Sequence, residues 1–183
     1  MTLGELLAGI GERLTAAGIP HMVTGSVASS FHGEPRSTRD IDIVIDPTAS
    51  ALEAFVRSLP ADAFYVDFEA ARAALAGRGQ FNVIEKASVW KVDLVIRKDR
   101  PFSLVEFARR QPAELLGTAT FVASAEDLVI AKLEWAKSGR SERQLRDVAA
   151  ILAANGDALD HPYIKRWVAA LGLGEMWSRA RKR

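Results

Sequence analysis

Residues 40–46, Asp-Ile-Asp-Ile-Val-Ile-Asp, decide the fold of this chain. Alternation over so short a run is the signature of a β-strand with one apolar and one polar face. Ile41, Ile43 and Ile45 would face a core, while Asp40 and Asp42 project together from the other side, their Cα atoms about 6.5–7 Å apart. Two neighbouring carboxylates repel unless something neutralises them. One reading is an exposed polar strand face paired with Arg36, Arg39 or a lysine. The other is a hard divalent cation, since Mg²⁺ takes one or two carboxylates together with substrate phosphates.

Outward from that strand, the chain reads as mixed α/β and then as all helix. Upstream, Thr2 and Glu5 form a capping-box pattern ahead of Leu6, Leu7, Ile10 and Leu14 at helical spacing. Gly18 is the expected stop, and residues 20–24 form a short strand closed by Gly25-Ser26. A small-residue helix is expected from Ser26 to about His32, broken by Gly33-Glu34-Pro35. Downstream, Asp46-Pro47 predicts an N-cap and first-turn proline for a helix to Leu59. A helix over residues 68–75 follows, then strands over 81–86 and 89–96 joined tightly through Ala87-Ser88. After a short helix beyond Pro101 come extended pieces over 115–122. From Ser124, two capping-box patterns (Ser124 with Asp127, Ser141 with Gln144) open amphipathic helices, with Trp167 and Trp177 on buried faces. The tryptophans are expected in the core or at helix interfaces. The expected organisation is a core over residues 1–123 and a helical part over 124–183 packed on it.

Composition excludes several classes. An apolar fraction of 49% with 26% charged residues is that of an ordinary globular protein, not a disordered or fibrous one. A net charge of +1 provides no global field toward nucleic acid or membrane. The absence of cysteine excludes disulfides and thiolate metal sites. Early charges argue against a signal peptide, and no apolar run is long enough for a membrane span, so the expectation is a cytoplasmic protein without membrane partners. The basic end, Arg179 to Arg183, reads as a solvated tail or a complement to a helix dipole, with phosphate contact as the other reading. His21, His32 and His161 do not cluster and read as packing or surface residues.

Two further features bear on the acidic pair. Gly25-Ser26 lies where a strand meets a helix; glycine admits close backbone approach, and the helix directs free N–H groups at a phosphate. Alone it is only a helix N-cap. Asp93, in Trp90-Lys91-Val92-Asp93-Leu94-Val95-Ile96, shares a strand face with Lys91 while Val92, Leu94 and Ile96 line the other. Placed beside the first strand, it would give the third carboxylate of a two-metal site.

Gly25-Ser26, thirteen intervening residues, Asp40-Ile41-Asp42 and then a later strand with Asp93 resemble the signature of the DNA polymerase β-like nucleotidyltransferase superfamily. The resemblance covers roughly residues 20–97 and implies an α+β fold, a small mixed sheet with flanking helices. It also implies that Asp40, Asp42 and Asp93 hold two Mg²⁺ ions, that Gly25 and Ser26 cradle phosphates, and that an NTP is co-substrate. A narrower match runs through residues 36–42, then Glu126-Asp127-Leu128-Val129-Ile130-Ala131-Lys132 and Arg146-Asp147. It looks like the AbiEii-type nucleotidyltransferases of toxin–antitoxin and abortive-infection systems. By that resemblance Arg39, Lys132 and Asp147 join the active site; from the residues alone, Lys132 and Asp147 read equally as a salt bridge between packed helices.

The expected activity is transfer of an NMP to a hydroxyl acceptor, either a tRNA end or a protein side chain, with a cognate antitoxin or toxin as partner. Two alternatives stay open: a small-molecule, antibiotic-type transferase, and a non-catalytic partner protein on the same scaffold.

Overall fold

The computed structural model describes residues 1–139 and 141–183, and these form two compact units. The first comprises residues 1–27 and 37–122, the second residues 28–36 and 123–183.

The first unit is a mixed sheet with helices. In chain order it contains α1 (Leu3–Ala16), β1 (His21–Thr24), the start of α2 (Gly25–His32), β2 (Asp40–Ile45), α3 (Ala49–Ser58), β3 (Phe64–Val66), α4 (Phe68–Gly77), β4 (Gln80–Glu85), β5 (Lys91–Ile96), α5 (Pro101–Ala108), β6 (Gln111–Leu115) and β7 (Thr118–Val122). Among the described residues seven strands form one sheet in the order β3-β4-β5-β2-β1-β7-β6. β2 and β5 run parallel at its centre, and β1 and β4 flank them antiparallel. The alternation in 40–46 does what its pattern predicts: Ile41, Ile43 and Ile45 are fully buried, as are Val92, Leu94 and Ile96 on β5. Helices α1, α3 and α4 pack in series, and α4 covers β4 and β5. Their apolar stripes, including Leu6, Ile10 and Leu14 on α1 and Leu52 and Phe55 on α3, complete the core.

The predicted helix starts fare unequally. Thr2 and Glu5 form the reciprocal capping box. Asp46, expected to cap α3, does not: Thr48 accepts from the Ala51 N–H, and Asp46 pairs instead with Arg78 and Arg97. A hydroxyl directly before the first turn outcompetes a carboxylate two residues farther back that has two guanidinium partners. Strand β3 was not foreseen, for three residues after a turn carry too little pattern to register. Glu85, buried at the end of β4, accepts from the Ser88 hydroxyl and from the Ser88 and Ala87 N–H groups and so builds the β4–β5 turn; these bonds hold its carboxyl below the usual range.

The second unit carries α6 (Ala125–Gly139), α7 (Glu142–Asn155), α8 (His161–Ala170) and α9 (Gly174–Ala180). Ser124 caps α6 by accepting from the Asp127 N–H. Its hydroxyl also donates to Asp127, which binds the Tyr163 hydroxyl in the buried interior. Ser141 is the N-cap of α7 but makes no side-chain cap bond, and the Gln144 side chain, expected to complete the box, accepts from Lys132. Trp177 is buried and Trp167 half-buried, whereas Trp135 is 62% exposed. That corrects the expectation for the tryptophans: α6 buries Leu128, Val129, Lys132, Leu133 and Ala136, and Trp135 lies off that stripe. Arg179 and Arg183 of the basic end both pair with Glu142 in the first turn of α7. Among the described residues no helix is long and apolar enough to cross a membrane.

Candidate active site

Sheet register assembles the site. On the parallel β2–β5 pair, Asp42 lies opposite Asp93 and Asp40 opposite Lys91. On the antiparallel neighbours, Thr24 faces Asp42 and Asn82 faces Asp93. Thr24, Asp42, Asp93 and Asn82 therefore form one row across four strands spaced about 4.8 Å apart, on the face opposite the isoleucines. Asp40 and Lys91 occupy the adjacent row.

Three carboxylates on one face require a cation, and the chain contributes one itself. Lys91 Nζ lies 2.9 Å from Asp93 Oδ2 and 3.8 Å from Asp40 Oδ1. The hydrogen bond to Asp93, reinforced by the charges of Asp93, Asp40 and Asp42, outweighs partial burial and holds the ammonium pKa above its ordinary value. The lysine pairing anticipated for an acidic strand face is thus present. The carboxylates are not equivalent, however: the Asp93 side chain is 13% exposed and that of Asp40 49%. Asp93 Oδ1 is buried and has no hydrogen-bond partner among the described residues.

Gly25 shapes the site from the backbone. It has φ +63°, a left-handed conformation at the junction of β1 and α2. A Cβ there would lie 2.8 Å from Asp42 Cβ and overlap the Asp42 carboxylate. The Asp42 side chain therefore sits directly against the turn that begins α2, whose second residue is Ser26. Arg39 is exposed at the entrance to β2, where its carbonyl accepts from the Lys91 N–H at 3.4 Å.

The donor set fits a hard divalent cation: all the candidate ligands are carboxylate oxygens, and Asp93 Oδ1, without a hydrogen-bond partner among the described residues, offers a lone pair. The carboxylates are not already drawn into a ligand cluster; among the described residues no three His, Cys, Asp or Glu side chains are so gathered. Lys91 stands between Asp40 and Asp93 instead.

Lys132 and Asp147 meet inside the second unit. Lys132 Nζ is 2.7 Å from Asp147 Oδ2 and 2.9 Å from Gln144 Oε1, and Arg36 adds a second cation at 3.1 Å from the same carboxylate oxygen. With side chains 4% and 9% exposed, Lys132 and Asp147 form the helix–helix salt bridge that the residues alone allowed. All three histidines contact backbone carbonyls: His21 that of Ile19, His32 that of Ala123 and His161 that of Gly156. Burial pushes the His32 pKa down, over opposing contributions from that carbonyl and Glu126.

The specific partners of two cations were not legible in the sequence. The Lys-x-Asp spacing on β5 did signal that Lys91 and Asp93 share a face. Its contact with Asp40, however, depends on a parallel register that no local pattern reveals. Arg36, weighed as a partner for the acidic strand face, pairs with Asp147, a contact between residues far apart in the chain that no local pattern reveals.

No protein-family model and no curated protein matches this chain. Solved structures do. An antigenic nucleotidyltransferase-like protein from Paracoccidioides brasiliensis superposes with a TM-score of 0.61 at 16% identity, covering 98% of this chain and 92% of that one. ANT(2″)-Ia in complex with adenylyl-2″-tobramycin gives 0.61 at 16% identity over 98% and 99%. The lincosamide antibiotic adenylyltransferase LnuA, bound to lincomycin, gives 0.54 at 13% identity over 82% and 96%. The chain has a nucleotidyltransferase fold.

Proposed function

We propose that this chain is a divalent-metal-dependent nucleotidyltransferase that moves an NMP from an NTP to a hydroxyl acceptor and releases pyrophosphate. The observation that carries this reading is the placement of Asp42 directly opposite Asp93, with Gly25 cleared of side chain against Asp42. The nucleotidyltransferase fold supports it.

Asp40 and Asp42, with Asp93, would hold the metal. Bound there, divalent cations would neutralise the triphosphate and lower the pKa of the attacking hydroxyl. Gly25 and Ser26, at the N-terminus of α2, present backbone N–H groups and a hydroxyl to the phosphates. Asp93 would hold the metal that activates the acceptor hydroxyl, or take the hydroxyl's proton, through Oδ1, which has no hydrogen-bond partner among the described residues. The acceptor oxygen bonds to the α-phosphorus in line as the bond to the bridging oxygen breaks. Arg39 adds positive charge at the entrance. Positioning and charge neutralisation then supply most of the rate.

The acceptor reading that follows the AbiEii-type resemblance is a hydroxyl on tRNA or protein, within a toxin–antitoxin or abortive-infection pair. A second reading, a small-molecule acceptor, is favoured by the fold shared with two proteins bound to an antibiotic or its adenylylated form. Incubation with each α-labelled NTP, Mg²⁺ and total cell extract, followed by separation of RNA, protein and metabolites, tests both. Label in one fraction identifies the acceptor class, and label in none contradicts transferase activity.

A further inference from the structure

Lys91 is a charged group seated between carboxylates of the candidate site, and the proposed chemistry does not use it. It lies opposite Asp40 in the β2–β5 register and two residues before Asp93 on the same face. Its ammonium contacts Asp93 Oδ2 at 2.9 Å and Asp40 Oδ1 at 3.8 Å. These are two of the carboxylates that would hold metal, so a cation entering near Asp93 meets a positive charge already seated there. Three carboxylates and one ammonium leave two net negative charges, which one divalent ion balances.

We propose that Lys91 is a resident counter-cation that competes with divalent metal for Asp93, so that the bare chain holds metal weakly. This rests on the reading of Asp40, Asp42 and Asp93 as metal ligands. A lone metal ion must either sit beside the ammonium on Asp93 Oδ1 or displace it from Oδ2, and both are unfavourable. A nucleotide triphosphate entering with the metal gives the displaced ammonium a new anionic partner, so Lys91 favours metal that arrives together with its nucleotide over metal that binds alone.

The test is a Mn²⁺ titration without nucleotide, followed by electron paramagnetic resonance of the free ion, on the full chain. Lys91→Met is expected to bind Mn²⁺ about tenfold more tightly than wild type, and Lys91→Arg within about twofold of it. Lys86→Met makes the same charge change at the β4–β5 turn, where Lys86 Nζ donates to the Ala61 carbonyl at 2.6 Å, and is expected to behave as wild type. In an Asp93→Asn background the Lys91→Met gain should largely disappear. Circular dichroism confirms that each variant folds. Equal, measurable binding by wild type and Lys91→Met would overturn the role of Lys91 alone, as would a gain that survives in Asp93→Asn or appears equally in Lys86→Met. No Mn²⁺ binding by wild type or Lys91→Met would overturn the metal-site reading as well.

Discussion

Asp42 and Asp93 face each other across two parallel strands, and Lys91 holds one oxygen of Asp93 while the other has no hydrogen-bond partner among the described residues. Facing like charges oppose folding, and on the proposed reading a bound cation would offset that cost. Asp42→Asn should lower nucleotide transfer on the order of a hundredfold or more. It should also leave the fold intact and change unfolding free energy by less than about 1 kcal/mol, since lost repulsion from Asp93 and lost attraction to Lys91 oppose each other. Urea denaturation beside a transfer assay measures both; a large loss of stability would assign Asp42 a structural role.

Gly25 and Gly18 both have positive φ, at +63° and +69°, but differ in what surrounds them. Nothing lies within 4 Å of a Cβ at Gly18, whereas one at Gly25 meets Asp42. Gly18→Ala should cost only the backbone term, about 1–2 kcal/mol. Gly25→Ala should cost more than that and displace Asp42, with transfer falling alongside stability. Equal losses in the two variants would mean that the Asp42 contact is unimportant.

Lys132 and Asp147 predict a different outcome, because their bridge is buried. Lys132→Met removes the nearer of two cations on Asp147, Arg36 remaining at 3.1 Å, and should destabilise by about 1–3 kcal/mol. Adding Asp147→Leu should recover most of that loss, as apolar packing replaces both charges. Denaturant midpoints of the single and double variants check it.

His32 predicts a pH dependence. Burial lowers its pKa in the fold, so the unfolded chain binds its proton more readily. Its contribution to stability is present above the ordinary histidine pKa of about 6.5 and is lost as pH falls toward the lower folded value. His32→Gln should flatten the fall in unfolding free energy between roughly pH 7 and 5, measured by urea titration at each pH. An unchanged slope would locate the acid sensitivity elsewhere.

Much of the fold was legible because its central strands alternate strictly: Ile41, Ile43 and Ile45, and Val92, Leu94 and Ile96, are buried as their period demanded. Helix starts were legible where a hydroxyl sits three residues before a carboxylate, as at Thr2, and illegible where two caps competed, as at Asp46 and Thr48. For the candidate site, the residue types and their faces were readable, but the partnerships were not. Strand register brought Lys91 to Asp40, and chain folding brought Arg36 to Asp147. Both are long-range relations with no local periodicity.

The most direct test of the central claim is transfer from an α-labelled NTP in cell extract with Mg²⁺, comparing wild type with Asp42→Asn and Asp93→Asn. The account predicts label in an acceptor and pyrophosphate release with wild type, and loss of both in each variant although both remain folded. Wild-type rates in either variant, or no transfer by wild type with any of the four nucleotides, would contradict it.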